Sequence, residues 1–535
     1  MFKKLFGFKT KRISSAALIL AASSLVSAFL GIYRNRLLAS TFGASAELDA
    51  YFAAFRLPDF IYSILIAGGI VVAFLPLFGE YFEDKKEKAW EFVNNVLDVF
   101  LVLLILISLL FFIFTPFLVD LVAPGFEGGQ KALTILLTRI MFLSPILLGL
   151  SSVFSGVLQY FDRFLIYSLS PIFYNLGIIG GILFLTPEFG ILGVAFGVIG
   201  GALLHLLIQL PAAFSCGFNF KWRFNFRSRK IKKLFYLMIP RTAGVAAQQI
   251  NILVMTAIAS ILATGSVSIF NFAKHLYSFP IRIAGISFAI SAFPTLSKAF
   301  IGGRTEEFKS LFLTTFKKVF YLATPAAFML FLLRSNIVNV VLRVGEFGIE
   351  ASKITSATFG ILTLALLFAA LVPLLFRAFF ALKDTLTPTL ITIGIVILNI
   401  ILAFSFINLI NNSVLVSNWL KEVLNLKGVN DISILGLASA FALTTILQFF
   451  LFLFFLKRKI NYQFDFDFVK ILGAGLISVL GLLLAFNFRG IYEELIFGIL
   501  FYSILYFGFS YLFGLEEPRK IIYFLKTKFT KNGEN

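Results

Sequence analysis

The sequence predicts an all-α polytopic membrane protein of about 14 transmembrane helices, organised as two six-helix lobes plus two extra C-terminal helices. Three observations predict it. Hydrophobic residues make up 59% of 535 positions and charged residues only 14%, against roughly 45–50% and 25% in soluble domains. A soluble core stops growing near about 250–300 residues, so a chain this apolar needs a bilayer as solvent for its surface. Apolar runs of spanning length recur along the chain, and the first half of their pattern returns in the second half.

In chain order the expected spans are 14–38, 50–78, 92–119, 132–158, 164–185, 190–214, 234–262, 267–296, 312–333, 354–382, 386–410, 434–456, 469–487 and 493–514. The first run follows Lys3, Lys4, Lys9, Lys11 and Arg12 like a signal sequence. It is too long for the apolar core of one and reads as an uncleaved span. Of the 46 Lys and Arg, only Lys131, Arg334, Arg343, Lys353, Lys421, Lys427 and Arg489 fall in the loops on one side. The opposite loops include the basic stretch from Lys221 to Lys233. This asymmetry predicts that both termini are cytoplasmic. A net charge of +19 would suit nucleic acid in a soluble protein. Here it is loop charge that sets topology, and no nucleic-acid partner is expected. Cys216 is the single cysteine, so no intramolecular disulfide is available.

The repeat is read from GASAELDAYFAAFRLP (43–58) and GSVSIFNFAKHLYSFP (265–280). Both run from a glycine to a proline, offset by 222 positions. The same offset links Asp162 to Asp384. Two parallel copies are therefore expected: an N-lobe over 1–232 and a C-lobe over 233–460, with residues 461–535 holding spans 13 and 14 and a cytoplasmic tail. Parallel repeats place a substrate cavity between the lobes and work by rocking. Enzymatic signatures are missing from the sequence. It has no GxxxxGK[ST] phosphate loop and no HExxH, and its only histidines are His205 and His275. Acids within spans are sparse, chiefly Asp49, Asp59 and Asp98. No catalytic residue, metal or cofactor is expected.

The informative residues are charges inside the spans. An Arg or Lys at a helix centre costs about 2.5–3.5 kcal/mol on insertion scales, so Arg34, Arg36, Arg56, Arg139, Arg241, Lys274 and Arg282 must snorkel, pair or line a wet cavity. Asp49 and Arg56 are seven apart and share a helix face; an ion pair through the intervening turn is one reading and a cavity wall the other. Asn271, Lys274, His275 and Arg282 line one side of span eight around Pro280. Basic residues outnumber acids in spans one, two and eight, so a cavity there would attract anions. Guanidinium forks suit phosphate oxygens. The expected cargo is a diphosphate or carboxylate, its acyl or prenyl tail lying against the two extra helices. The expected substrate-binding set is Arg34, Asp49, Arg56, Lys274, His275 and Arg282. Apolar surface is lipid-facing here, so it carries no information on oligomeric state.

These stretches resemble the MurJ/MviN family, the lipid II flippases of the multidrug/oligosaccharidyl-lipid/polysaccharide exporter superfamily. The matching segments are LGIYRNRLLASTFGASAELDAYFAAFRLPDF (30–60), AFLPLFGEYF (73–82), APGF (123–126), SPIFYN (170–175), TGSVSIFNFAKHLYSFP (264–280), FPTLSKAF (293–300) and FRAFFALKDTLTPT (376–389). The resemblance implies export of an undecaprenyl-diphosphate-linked peptidoglycan precursor by alternating access, with lipid II or a related polyprenyl-diphosphate lipid and the membrane lipids as partners. Arg34 and Asp49 stand where the family has a first-span arginine and a second-span aspartate, and Arg56 matches a basic position. Ala28, Tyr62 and His275 stand where it has three further cavity arginines, with Lys274 beside the last. Ala67 replaces an acid of span two. Asn399 fits a sodium site of some members, but Ala403 stands where that site has an aspartate. These departures leave two alternatives open: a flippase for another polyprenyl-diphosphate-linked glycan, or a non-transporting cell-wall scaffold.

Overall fold

A computed structural model describes residues 13–67, 70–462, 467–485 and 491–520, and among them every regular element is a helix. The basic N-terminal segment, the loop around Arg489 and the tail after residue 520 lie outside these residues, as do the side chains of Ala67 and Arg241. Nine of the described helices are long and apolar enough to cross a membrane, or ten if the pair Ile349–Leu364 and Leu366–Ala381, bent by 50°, counts as one span. Of the other expected spans, 50–78 and 469–487 run through positions that are not described, and 14–38 and 234–262 lie on the helices Ile13–Phe42 and Arg229–Ser260, some of whose side chains are not described. The multi-pass helical class therefore stands on nine of the expected spans, or ten with the bent pair.

The apolar runs and the helices are not the same objects. The run 92–119 is a long helix, Lys86–Ile113, followed by a short one, Thr115–Val122. The run 132–158 is Gly128–Met141 followed by Leu143–Tyr160, and the run 50–78 breaks at Phe55 between Ala46–Ala54 and Arg56–Tyr62. Pro58 and Pro145 each lie three residues beyond a break. A proline lacks the N–H for the preceding turn but fits the first turn of a new helix, so the chain restarts just upstream of it. The breaks recur along the chain. Ile113 ends its helix as Leu332 does 219 residues later, and Met141 as Leu364 does 223 later. Span two continues past Pro58 into a π-helical segment, Ser63–Ala67, and the helix Ser266–Pro280 continues into another, Ile281–Ile286.

The chain forms two compact units, residues 1–268 with 344–347 and residues 269–343 with 348–535. In the first, Phe74, Phe78, Phe92, Phe100 and Phe154 centre a buried apolar cluster. Helices Phe164–Gly180 and Ile191–Leu207 cross with their backbones nearly touching. A Cβ on Gly177 would lie 2.2 Å from the Gly201 Cα, and one on Gly181 would lie 2.5 Å from the Gly197 Cα. Gly193, Gly197 and Gly201 recur every four residues on one face, the spacing that lets membrane helices approach closely. The helix Ile13–Phe42 packs on Phe164–Gly180, tied by a 2.9 Å hydrogen bond between Ser23 and Ser168 hydroxyls.

In the second unit, Phe308, Phe312, Phe316 and Phe320 fall every fourth residue on helix Thr305–Leu332 and all are buried. They pack among Leu371, Leu374, Phe379, Phe449 and Phe452. The last two helices, Asp467–Ala485 and Ile491–Leu512, join the same core. The Tyr506 hydroxyl donates to the Tyr321 carbonyl at 2.9 Å, and Tyr502 lies fully buried. Elsewhere the helices expose large apolar residues; Leu106, Ile113, Phe117 and Leu415 are each more than half exposed. A water-facing surface would not carry such residues contiguously, whereas lipid accommodates them.

Candidate functional site

Arg34 lies in helix Ile13–Phe42 and is half-buried. Its Nη1 donates to Asn175 Oδ1 at 3.2 Å, and its Nη2 and Nε donate to Asn35 Oδ1 at 3.3 and 3.4 Å. Asn175 is itself fixed, donating to the Ser27 hydroxyl at 3.2 Å and the Pro171 carbonyl at 3.0 Å. Both acceptors of the guanidinium are neutral amides, and it makes no ion pair among the described residues. The charge is thus oriented but not neutralised, the state an anion-binding arginine requires.

Asp49 is fully buried on helix Ala46–Ala54, which Ser45 caps through its side chain. One carboxylate oxygen accepts from the Gly265 N–H at 2.7 Å. The other accepts from the Ser268 N–H at 2.7 Å and from the Ser268 hydroxyl. These donors belong to the start of helix Ser266–Pro280, so the carboxylate caps that helix, where the dipole favours negative charge. Gly265 has φ +91°, and a Cβ there would sit 2.5 Å from the Ala44 carbonyl oxygen, so only glycine fits the approach. The ion pair with Arg56 that the seven-residue spacing allows is not formed. Arg56 begins the helix Arg56–Tyr62 and donates from Nε to the Thr256 hydroxyl at 2.8 Å. Arg34, Asp49 and Arg56 therefore occupy three separate polar settings in the first unit.

In the second unit, Asn271, Lys274 and His275 share a face of helix Ser266–Pro280, as their spacing predicts. The Lys274 ammonium lies 5.4 Å from the centre of the Phe441 ring, which also meets Phe270 and Tyr277. His275 is half-buried, and its carbonyl accepts from the Ser278 hydroxyl at 2.9 Å. Arg282 is exposed on the π-helical segment, its carbonyl accepting from the Ser287 hydroxyl. Arg139, another of the basic residues within the spans, places its guanidinium 4.9 Å from the centre of the Phe112 ring.

Several polar partners were not legible beforehand. Asn35, Asn175, Thr256 and Ser268 hold the charges, yet each is a single neutral residue in an apolar run. A buried network also joins Ser151, Ser155, His205 and Gln209. The Ser151 hydroxyl lies 2.7 Å from His205 Nδ1, and Gln209 Nε2 donates to the same hydroxyl at 2.7 Å. That network satisfies His205 inside the helix packing.

Comparison with known proteins places the chain. The family profile described as "Lipid II flippase MurJ" matches residues 38–506. A "Probable lipid II flippase MurJ" of Buchnera aphidicola subsp. Acyrthosiphon pisum is 30% identical over 381 residues, covering 70% of this chain and 75% of the relative. Its counterpart in Buchnera aphidicola subsp. Schizaphis graminum is 27% identical over 489 residues, 88% of this chain and 95% of the relative. A solved structure described as "Lipid II flippase MurJ, inward closed conformation" superimposes with a TM-score of 0.76 at 24% identity, covering 94% of this chain and all of that one. An inward-facing multidrug resistance MATE family transporter of the MOP superfamily superimposes with a TM-score of 0.66 at 14% identity, covering 81% and 94%. At such identities the solved structures show a shared fold. With the profile matched over most of its length, the chain belongs to the lipid II flippase MurJ family.

Proposed function

We propose that this protein is a lipid II flippase. It takes the undecaprenyl-diphosphate-linked peptidoglycan precursor from the inner leaflet of the bacterial plasma membrane and releases it in the outer leaflet by alternating access. The family match across residues 38–506 supports the cargo, and Arg34 supports the site. A guanidinium that meets, among the described residues, asparagine amides and no carboxylate keeps its charge for a ligand. In this reading Arg34 meets the diphosphate with its guanidinium, and Arg56, Lys274, His275 and Arg282 are proposed as further groups that contact the cargo. Asp49 acts on the same cargo by fixing the start of the helix that carries Lys274 and His275. Residues 1–232 and 233–460 are read as the two rocking lobes, which the recurring helix breaks support. Both termini are read as cytoplasmic.

Cells depleted of their own flippase test this reading. Supplying this gene should restore growth, and Arg34→Ala should abolish rescue at unchanged protein level. Failure of a well-inserted wild-type copy would refute the assignment.

A second reading, a flippase for another polyprenyl-diphosphate glycan, is favoured by Ala28, Tyr62 and His275 standing at the family's arginine positions. Native mass spectrometry of the purified protein separates the two by the mass of the retained lipid.

A further inference from the structure

The connector that follows helix Leu210–Ser215 and precedes helix Arg229–Ser260 carries a surface made of residues outside the candidate site. Its residues 219–225 belong to no helix, and among the described residues no strand pairs with them. Side chains of helix Lys86–Ile113 take the place of one. Asn94 accepts from the Lys221 N–H at 2.9 Å and donates to the Asn219 carbonyl at 3.0 Å. Asn95 accepts from the Asn225 N–H at 2.8 Å and donates to its carbonyl at 3.1 Å. Asp98 accepts from the Arg223 N–H. These bonds pin alternate residues, 221, 223 and 225, against the helix. The intervening positions alternate with them along the chain.

Those positions and the next in phase are all aromatic: Phe220, Trp222, Phe224 and Phe226, between 47% and 61% exposed. Cations lie among and after them. Arg223 pairs with Glu91 at 3.0 Å and Lys233 with Glu80 at 2.8 Å. Lys230 donates to the Lys88 carbonyl at 3.1 Å and lies 4.6 Å from the centre of the Tyr81 ring. Lys221, Arg227, Arg229 and Lys232 are exposed and pair with no carboxylate among the described residues. The segment follows the stretch Ile191–Ser215, which is long and apolar enough to cross a membrane, and Asn94, Asn95 and Asp98 stand at the start of the apolar run of their helix. It therefore sits at the depth of the bilayer interface. Amphipathic rings partition there, and anionic headgroups attract clustered Lys and Arg.

We propose that residues 219–232 form a docking surface for anionic phospholipid headgroups of the surrounding bilayer. The four rings seat at the glycerol level and the four uncompensated cations take the headgroup phosphates. Helix Lys86–Ile113 holds the segment flat against this layer.

The test uses the full-length protein in vesicles containing brominated lipids. The fluorescence difference between wild type and Trp222→Phe isolates Trp222, whose ring is exposed and dispensable for packing. Brominated phosphatidylglycerol should quench Trp222 more strongly than brominated phosphatidylcholine at equal bromine content. The pair Lys221→Gln and Lys232→Gln should weaken that preference by on the order of tenfold. Trp222 emission untouched by either lipid would overturn the proposal and mark the surface as one for a soluble partner. Equal quenching by both lipids, unchanged in the glutamine variant, would equally overturn it, leaving an aromatic belt without anion recognition.

Discussion

The Gly265 N–H, the Ser268 N–H and the Ser268 hydroxyl are among the donors that converge on the two oxygens of Asp49 at the start of helix Ser266–Pro280. Hydrogen bonds to a charged group contribute about 1.5–3 kcal/mol each, and a buried donor left unpaired costs a similar amount. Asp49→Ala should therefore lower unfolding stability in detergent by about 2–4 kcal/mol, and Asp49→Asn by less, since an amide keeps one acceptor. Unchanged stability with lost cargo binding would make Asp49 a ligand group instead. For Arg34 the pattern reverses. Arg34→Lys keeps the charge but loses the planar fork that meets Asn35 and Asn175. It should leave protein level and thermal stability near wild type while rescue of flippase-depleted cells falls at least about tenfold. The charged members of the site are legible in the sequence because an Arg or Lys in an apolar run must be explained. Asn175 and Thr256 are not, because a single amide or hydroxyl in a helix costs little and leaves no periodic mark.

At the scale of elements, close helix approach depends on what a side chain would meet. Gly197→Leu places its bulk where the Gly181 backbone lies, and overpacking of this kind costs about 1–3 kcal/mol or more. It should lower the yield of folded protein, read by size-exclusion profile. Gly394, with nothing near its missing Cβ, should accept alanine with equal or slightly higher stability. A turn between spans carries a pH response. The Asp384 carboxylate pairs with Lys459 at 2.6 Å and accepts from the Thr387 N–H at 3.0 Å. Burial pushes its pKa up, but these partners outweigh burial and hold it below the ordinary value. Its contribution is then full above the unfolded carboxylate pKa and disappears as pH falls through the depressed folded value. Asp384→Asn should lower the melting temperature evenly between about pH 5 and 8, and the gap to wild type should close below about pH 4. The breaks before Pro58 and Pro145 follow from the sequence once the restart rule is applied. The π-helical segments do not, since no residue pattern separates an i+5 from an i+4 bond.

For the whole molecule, the membrane class is legible because hydropathy averages over about twenty residues and survives local error. The count of spans is not legible in the same way, because apolar runs do not end where helices end. The run 354–382 is two helices bent by 50°, and 92–119 is a long helix with a short one after it. The internal repeat is legible from Gly43 and Gly265, and its imprint extends to helix breaks that no residue match announces. On the proposed reading, the chain carries a diphosphate lipid on charges placed inside its helices. Translocation of fluorescent lipid II in proteoliposomes tests it most directly. Wild-type protein should move the lipid well above empty vesicles, and Arg34→Ala should reduce the rate at least about tenfold with the protein folded. A wild-type rate equal to that of empty vesicles, or an Arg34→Ala rate equal to wild type, would contradict it.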